Sequence, residues 1–228
     1  MALVLRQQDS DKDDKRFNNY WDTCDPTTAH LEFPPEDFTK GFNIYGGLEK
    51  WMDIAEERFG KKYEWEGSTV LDYGCGGGNL GQYMITRKKV SKYIGLDISD
   101  RSLSVASQKV NQPQAEFYRE EEVSFEQFSP DFIVCLAVIQ HFPSFKYYKN
   151  WCERVNNSGA KDVIIQVRDL GDHAKSIGVK YEENDDPLLA LRLSDECVVS
   201  DLTNYQVKWT EEAPNDGRSY KYFGLERK

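Results

Sequence analysis

The chain has only three histidines, no Cys-x-x-Cys pair, no apolar run of membrane length and no basic excess. His30, His141 and His173 are scattered without a His-x-x-x-His spacing, so no metal-ligand pattern appears. The five cysteines, Cys24, Cys75, Cys135, Cys152 and Cys197, are odd in number and irregularly spaced, which argues against a disulfide framework and a zinc site. No bound metal and a reducing cytoplasm are therefore expected. The longest apolar run, residues 132–139, falls far short of the roughly 20 residues of a membrane span. The first 16 residues lack the apolar stretch of a secretory signal and are expected to form a mobile tail. A surplus of 39 acidic over 29 basic residues gives a net charge of −10. This speaks against a general nucleic-acid binder, which usually carries a basic face, and favours solubility.

What is present is a globular composition, 39% hydrophobic and 13% aromatic, with no repeat or low-complexity segment. Residues 17–47 are irregular but rich in aromatics, including Tyr20 and Trp21, and are read either as a cap over a site or as plain wrapping of the core. Leu48, Trp51, Met52, Ala55 and Phe59 recur at helical spacing before Gly60. Strands are then expected at 69–73, 93–96, 115–118, 132–136 and 162–167, alternating with helical patterns. That alternation predicts a parallel sheet with helices on both faces. Residues 170–195 break the rhythm as an acidic, weakly patterned insertion. Ser194 can cap a short helix, and 205–211 with 219–226 read as a hairpin about the turn formers of 213–217. The expected organisation is one domain over 17–228. It comprises the N-terminal cap and helix (17–65), a ligand-binding core (66–169), the insertion (170–195) and a closing helix and hairpin (196–228).

The strongest signal is the run Val70-Leu-Asp-Tyr-Gly-Cys-Gly-Gly-Gly-Asn79, a strand followed by a glycine-rich turn and a helix. Glycine lets the backbone turn tightly and lets a ligand approach closely, and the next helix turns its first N–H groups toward that ligand. A P-loop is excluded, since no Gly-Lys-[Ser/Thr] follows. The dinucleotide frame Gly-x-Gly-x-x-Gly fails from Gly74, because the third slot is Asn79. From Gly76 it runs through Gly78 and Gly81 but sets the turn late. Asp72, just before the turn, suits a cation better than a pyrophosphate. Asp97, at the end of the second strand, can accept both hydroxyls of a ribose or simply cap a helix.

Asp72-x-Gly74-x-Gly76-x-Gly78, the downstream Asp97 and the segment 131–142 resemble the class I S-adenosylmethionine-dependent methyltransferases over about 65–170, and the closing hairpin fits the same family. The resemblance implies a three-layer, Rossmann-like α/β fold: a mostly parallel seven-stranded sheet closed by an antiparallel C-terminal hairpin. It implies S-adenosyl-L-methionine as cofactor. Asp72, Gly74, Cys75 and Gly76 would meet its methionine part, Asp97 the ribose and Ile98 the adenine. Glu121, or alternatively Glu120, would meet the adenine amine, and Leu136 would line the cofactor site. His141, after the fourth strand, would either take a proton from the acceptor or only bond the backbone. Tyr20 and Trp21 are the candidate cap residues over the substrate.

In-line displacement at a sulfonium needs placement in a dry pocket, not a covalent protein intermediate, which explains why the motifs serve the cofactor and no nucleophile constellation appears. The acceptor is expected to be a small molecule with an oxygen or nitrogen nucleophile. DNA loses its expected Asn-Pro-Pro-Tyr, Asp-Pro-Pro-Tyr and Pro-Cys motifs. RNA, including an mRNA cap, stays as the alternative substrate but lacks a visible basic track. An inactive, methyltransferase-like binding subunit is the non-enzyme alternative. No membrane partner is expected, and nothing in the sequence speaks to oligomeric state.

Overall fold

The structure, a computed structural model, describes residues 20–21, 48–176, 178–184, 190–215 and 218–228. The expected tail at 1–16, and all of the aromatic segment except Tyr20 and Trp21, lie outside them. In chain order the elements are α1 (Leu48–Arg58), β1 (Thr69–Tyr73), α2 (Asn79–Thr86), β2 (Lys92–Asp97), α3 (Asp100–Val110), β3 (Ala115–Arg119), β4 (Phe132–Cys135), α4 (Phe145–Asn157), β5 (Asp162–Arg168), α5 (Asp172–Ser176), β6 (Tyr181–Glu183), β7 (Leu191–Leu193), α6 (Asp195–Asp201), β8 (Tyr205–Asn215) and β9 (Arg218–Arg227). Seven strands form one sheet in the order β3-β2-β1-β4-β5-β9-β8. The pairs β1–β2, β2–β3 and β4–β5 are parallel, whereas β9 runs antiparallel to both β5 and β8. This is the mostly parallel α/β sheet with an antiparallel closing hairpin that the sequence led us to expect. No helix among the described residues is long and apolar enough to cross a membrane.

Residues 18–123 form one compact unit, and residues 124–228 belong to a second. In the first, Val70, Leu71, Tyr93, Ile94 and Leu96 fill the strands' buried faces. Tyr83 of α2 is fully buried, and its hydroxyl donates to Glu56 of α1 at 2.6 Å, tying the two helices together. Ser99 caps α3 by accepting from the Ser102 amide, and Asn111 closes that helix in the left-handed region at φ 30°.

In the second unit β4 is buried along its length, as a central parallel strand should be. It ends at Cys135, one residue earlier than expected, and Ala137 beyond it takes a left-handed φ of 58°. Ser144 caps α4, which buries Tyr148, Trp151, Cys152 and Val155 at helical spacing. The edge strand β8 carries a bulge between Val207 and Trp209, and Lys208 there lies near Asp162 and Glu226. A bulge and a lysine are common protections of a sheet edge.

The insertion is more ordered than its sequence suggested. Its described residues hold α5 and an antiparallel pair, β6 with β7. Leu191 and Leu193 are buried on either side of Arg192. The Arg192 guanidinium donates to the carbonyls of Asp169 (3.1 Å) and Leu170 (2.8 Å) and to the Glu182 carboxylate (2.8 Å). Charged residues of this weakly patterned stretch are thus hydrogen-bonded to one another and to the backbone.

Tyr205 anchors β8. Its buried hydroxyl points to the carbonyls of Ala160 at 3.0 Å and Val155 at 3.3 Å. Tyr205→Phe leaves those carbonyls without this donor and should lower stability by about 1–2 kcal/mol in a urea melt. An unchanged midpoint would show that the hydroxyl contributes only as part of an apolar ring.

Candidate active site

The turn after β1 is built on hydrogen bonds to the end of β2. The amides of Gly74 and Cys75 both donate to the Leu96 carbonyl, at 2.8 and 2.9 Å. The Gly76 amide donates to Asp97 Oδ2 at 2.9 Å, and the Ser99 amide to Asp97 Oδ1 at 3.0 Å. Asp97 therefore braces the turn and also begins the loop into α3. The glycines divide the work. Gly76 has φ 50°, and a Cβ there would meet nothing within 4 Å, so the turn presents open space at that point. Gly78 is packed: a Cβ would stand 3.0 Å from Ala106. At Gly81 a Cβ would lie 2.7 Å from the Tyr93 ring, so that glycine lets α2 approach β2. The late dinucleotide frame thus has packing glycines in its second and third slots.

Cys75 joins this turn through its backbone. Its side chain is buried, with Sγ 3.0 Å from where a Cβ on Gly95 would stand. Burial, then the charges of Asp97 and Asp72, push the thiol well above its ordinary value, which makes it a poor nucleophile.

Asp72 is 3% exposed. Its Oδ2 accepts from the Tyr93 hydroxyl at 2.5 Å, and Tyr93 in turn is bonded by the Gly81 backbone. Burial pushes the Asp72 carboxyl up to about 7. The Tyr93 bond opposes this, and the charge of Asp97 adds to it. Two carboxylates close enough to repel each other form a locus that a cation would relieve. Ile98 is half-buried beside Asp97. After β3, a 3-10 turn over Glu120–Glu122 buries Glu120 at 9% exposure, whereas Glu121 is exposed and pairs with Arg119 at 3.2 Å.

Within the second unit, half-buried Leu136 follows β4, and a 3-10 turn over Ile139–His141 sets His141 half-buried. Gln140, 4% exposed, turns its Nε2 toward His141 Nε2 at 3.3 Å. Tyr20 and Trp21 form an edge-to-face pair with ring centroids 5.1 Å apart. Among the described residues, no three His, Cys, Asp or Glu side chains group to hold a metal ion. The sequence reading did not single out Tyr93 or Gln140. A glutamine directly after the apolar run 132–139 was the available sign of Gln140. A buried strand tyrosine gives no sign at all.

The sequence model of a family described as a methyltransferase domain matches residues 47–180. The chain belongs to this family. The methyltransferase domain is 36% identical over 122 residues to a ubiquinone biosynthesis O-methyltransferase of Leptothrix cholodnii, covering 50% of this chain and 48% of that protein. It is 29% identical over 166 residues to the enzyme of the same description in Dechloromonas aromatica, covering 70% and 62%. The chain thus spans about half of the first relative and 62% of the second. Among solved structures, magnesium protoporphyrin IX methyltransferase of Synechocystis PCC 6803 with bound SAH shares its fold at a TM-score of 0.69 and 16% identity, over 94% of this chain and 100% of that one.

The ionisation of Asp72 has a definite sign. A carboxyl whose folded value lies above its unfolded one holds its proton more tightly when folded. Its contribution to stability is therefore present below about pH 4 and is lost as pH rises to about 7. Asp72→Asn keeps an oxygen for Tyr93 and removes the buried charge. In urea melts the methyltransferase variant should exceed wild type at pH 8 by up to about 4 kcal/mol, with the gap closing toward pH 4. Equal differences at both pH values would mean that Asp72 ionises as an ordinary surface acid.

Proposed function

We propose that this chain is an S-adenosyl-L-methionine-dependent methyltransferase acting on a hydroxyl or amine of a small molecule. The observation that carries the reading is the glycine turn, open at Gly76 and flanked by the Asp72 and Asp97 carboxylates, in a member of a methyltransferase family. Those groups fit the cofactor: a backbone that a ligand can touch, an acid for an ammonium, and an acid for a pair of ribose hydroxyls. When bound, the cofactor supplies a methyl group on a sulfonium, whose C–S electron pair stays on sulfur as the acceptor's lone pair takes the carbon.

The chain's own residues bind and orient. A carboxylate accepts up to about four hydrogen bonds, so bracing Gly76 and Ser99 does not by itself exclude Asp97 as an acceptor for ribose hydroxyls. Gly74, Cys75 and Gly76 offer backbone to the methionine part, and Asp72 balances its ammonium. Ile98, beside Asp97, gives an apolar contact, and Leu136 is kept as a candidate on the sequence resemblance alone. Of the two candidate acids for the adenine amine, burial favours Glu120 over Glu121. Tyr20 and Trp21 are kept as the candidate cap residues on the sequence resemblance alone. His141 either takes the acceptor's proton or stabilises its turn, and the Gln140 contact favours the second role.

The small-molecule acceptor is supported by the two curated relatives, both named for ubiquinone biosynthesis. The net charge of −10 leaves an RNA acceptor little counterion release on binding. A reducing, cytoplasmic setting is supported by Cys75, Cys135, Cys152 and Cys197, all buried and unbridged.

Calorimetry should show S-adenosylmethionine and S-adenosylhomocysteine binding and NAD failing to bind. Tight NAD binding with neither sulfur nucleoside bound would sink the reading. Screening the protein with label on the cofactor's methyl group should move label into small-molecule extracts and not into RNA.

Asp97→Ala should weaken S-adenosylhomocysteine binding by about 2–4 kcal/mol, since hydrogen bonds to an ionised acceptor are lost and water compensates in part. Unchanged affinity in a folded variant would remove Asp97 from the ribose site.

A further inference from the structure

Asp72 is held by a relay that runs back to the start of α2. Gly81 is the third residue of that helix, so its amide has no acceptor within the helix. The Gly81 backbone bonds the Tyr93 hydroxyl, and because this bond favours the phenolate form it is the amide that donates. An amide N–H cannot accept, so the hydroxyl hydrogen is left for Asp72 Oδ2, at 2.5 Å. The fit is close: Tyr93 is fully buried, and a Cβ on Gly81 would stand 3.2 Å from its hydroxyl oxygen. A hydroxyl polarised by a helix N-terminus is a strong donor, and such a donor favours an ionised acceptor. Among the described residues Tyr93 is the one group that favours the charge of Asp72, against burial and the charge of Asp97. Cys75, the other titratable group at this point, is held protonated by burial and offsets neither.

We propose that Tyr93 is a positioning residue for the cofactor: by donating to Asp72 it readies that carboxyl to give up its proton to solvent when the cofactor's positive charge arrives at the glycine turn. This rests on the cofactor reading above, in which the ligand brings an ammonium and, before transfer, a sulfonium. The coupling needs no contact with Asp72, since charges in a buried site act across several ångström, as Asp97 already does on Asp72. The sign follows from linkage. Affinity for a cationic ligand is full where Asp72 is ionised in the free protein, and it falls as pH drops below about 7. Without the Tyr93 hydroxyl the same fall begins at higher pH.

The test is calorimetry of S-adenosylhomocysteine binding to the full chain between pH 6 and 9, in buffers of unlike ionisation enthalpy that read the protons exchanged. Wild type should release about one proton per ligand at pH 6 and few at pH 8. Tyr93→Phe removes one hydrogen bond to an ionised acceptor, worth about one pH unit of ionisation. The variant should therefore bind about tenfold more weakly than wild type at pH 6, with the gap closing toward pH 9. The ligand's own amino group titrates alike with both proteins and cancels from this ratio. A gap of equal size at every pH, or no gap at all, assigns Tyr93 to the scaffold and overturns the proposal. So does wild-type binding without proton release at pH 6, or a release that persists in Asp72→Asn.

If Tyr93→Phe fails to fold, carbon NMR of the ligand-free wild type decides. The Tyr93 ring carbon that bears the hydroxyl should titrate together with the Asp72 carboxyl, and a ring carbon that does not move overturns the relay. Failure of wild type to bind S-adenosylhomocysteine at any pH would instead sink the cofactor reading, so the two failures are distinguishable.

Discussion

The turn after β1 has its shape because the end of β2 takes up its backbone donors. One carbonyl, that of Leu96, receives the Gly74 and Cys75 amides, and one carboxylate, that of Asp97, receives the Gly76 amide. Parallel pairing sets this up: Tyr73 lies opposite Leu96 in the β1–β2 register, so both strands finish together. Asp97 consequently serves the protein before it serves any ligand. A ligand that bonds Asp97 meets a group already fixed in place, which lowers the entropy lost on binding. The glycines follow from the same constraint. Gly76 keeps the turn open, while Gly78 and Gly81 let α2 lie close to α3 and β2. A run of glycines that reads as one ligand signature therefore combines two demands, ligand approach and helix packing.

Asp72 imposes a different cost. Burial beside a second acid disfavours its charge, and the Tyr93 hydroxyl offsets only part of that. An apolar or amide residue would serve the fold better here, so the acid is a stability deficit at the ligand turn. Such deficits are what a preorganised electrostatic site requires: the charge is placed before the complementary one arrives. Tyr93 connects this charge to the helix. It donates to Asp72 and is bonded by the Gly81 backbone, near the start of α2 where amides lack intrahelical partners. The aromatic ring that forbids a side chain at position 81 is thus the same one that holds Asp72.

The parts of this arrangement that were legible in the sequence are those decided locally. The bounds of β1, the glycine turn, and the serine at 194 that caps α6 all follow from residues within a few positions of one another. The added length of β8 and the order within the insertion were not legible, because pairing partners outside each segment create them. Arg192 finds the carbonyls of Asp169 and Leu170 more than 20 residues away, and Glu183 finds the Phe145 amide across 38. A glutamate in an acidic run gives no sign of such a bond. Gln140 was hidden for another reason. Its neighbour His141 carried the chemical expectation, although the buried member of the pair is the glutamine.

The insertion and the turn after β4 are mechanically joined within the second unit. Helix α4 begins a few residues after His141, and its first amide, that of Phe145, donates to Glu183 of β6 at 2.6 Å. Ser144 takes the Tyr147 amide of the same first turn at 3.1 Å. The Phe145 ring lies on the Tyr181 ring, with centroids 3.9 Å apart and planes within 5°. A carboxylate at a helix N-terminus is favoured by the helix dipole as well as by the hydrogen bond, so Glu183 gains twice from this position. The start of α4 cannot shift without breaking that bond and sliding the stacked rings. Since the short link 142–144 joins α4 to the 3-10 turn, β6 helps to fix where Gln140 and His141 stand. The acidic character of the insertion is therefore not explained by solubility alone: Glu182 and Glu183 are the contacts by which it grips Arg192 and the start of α4.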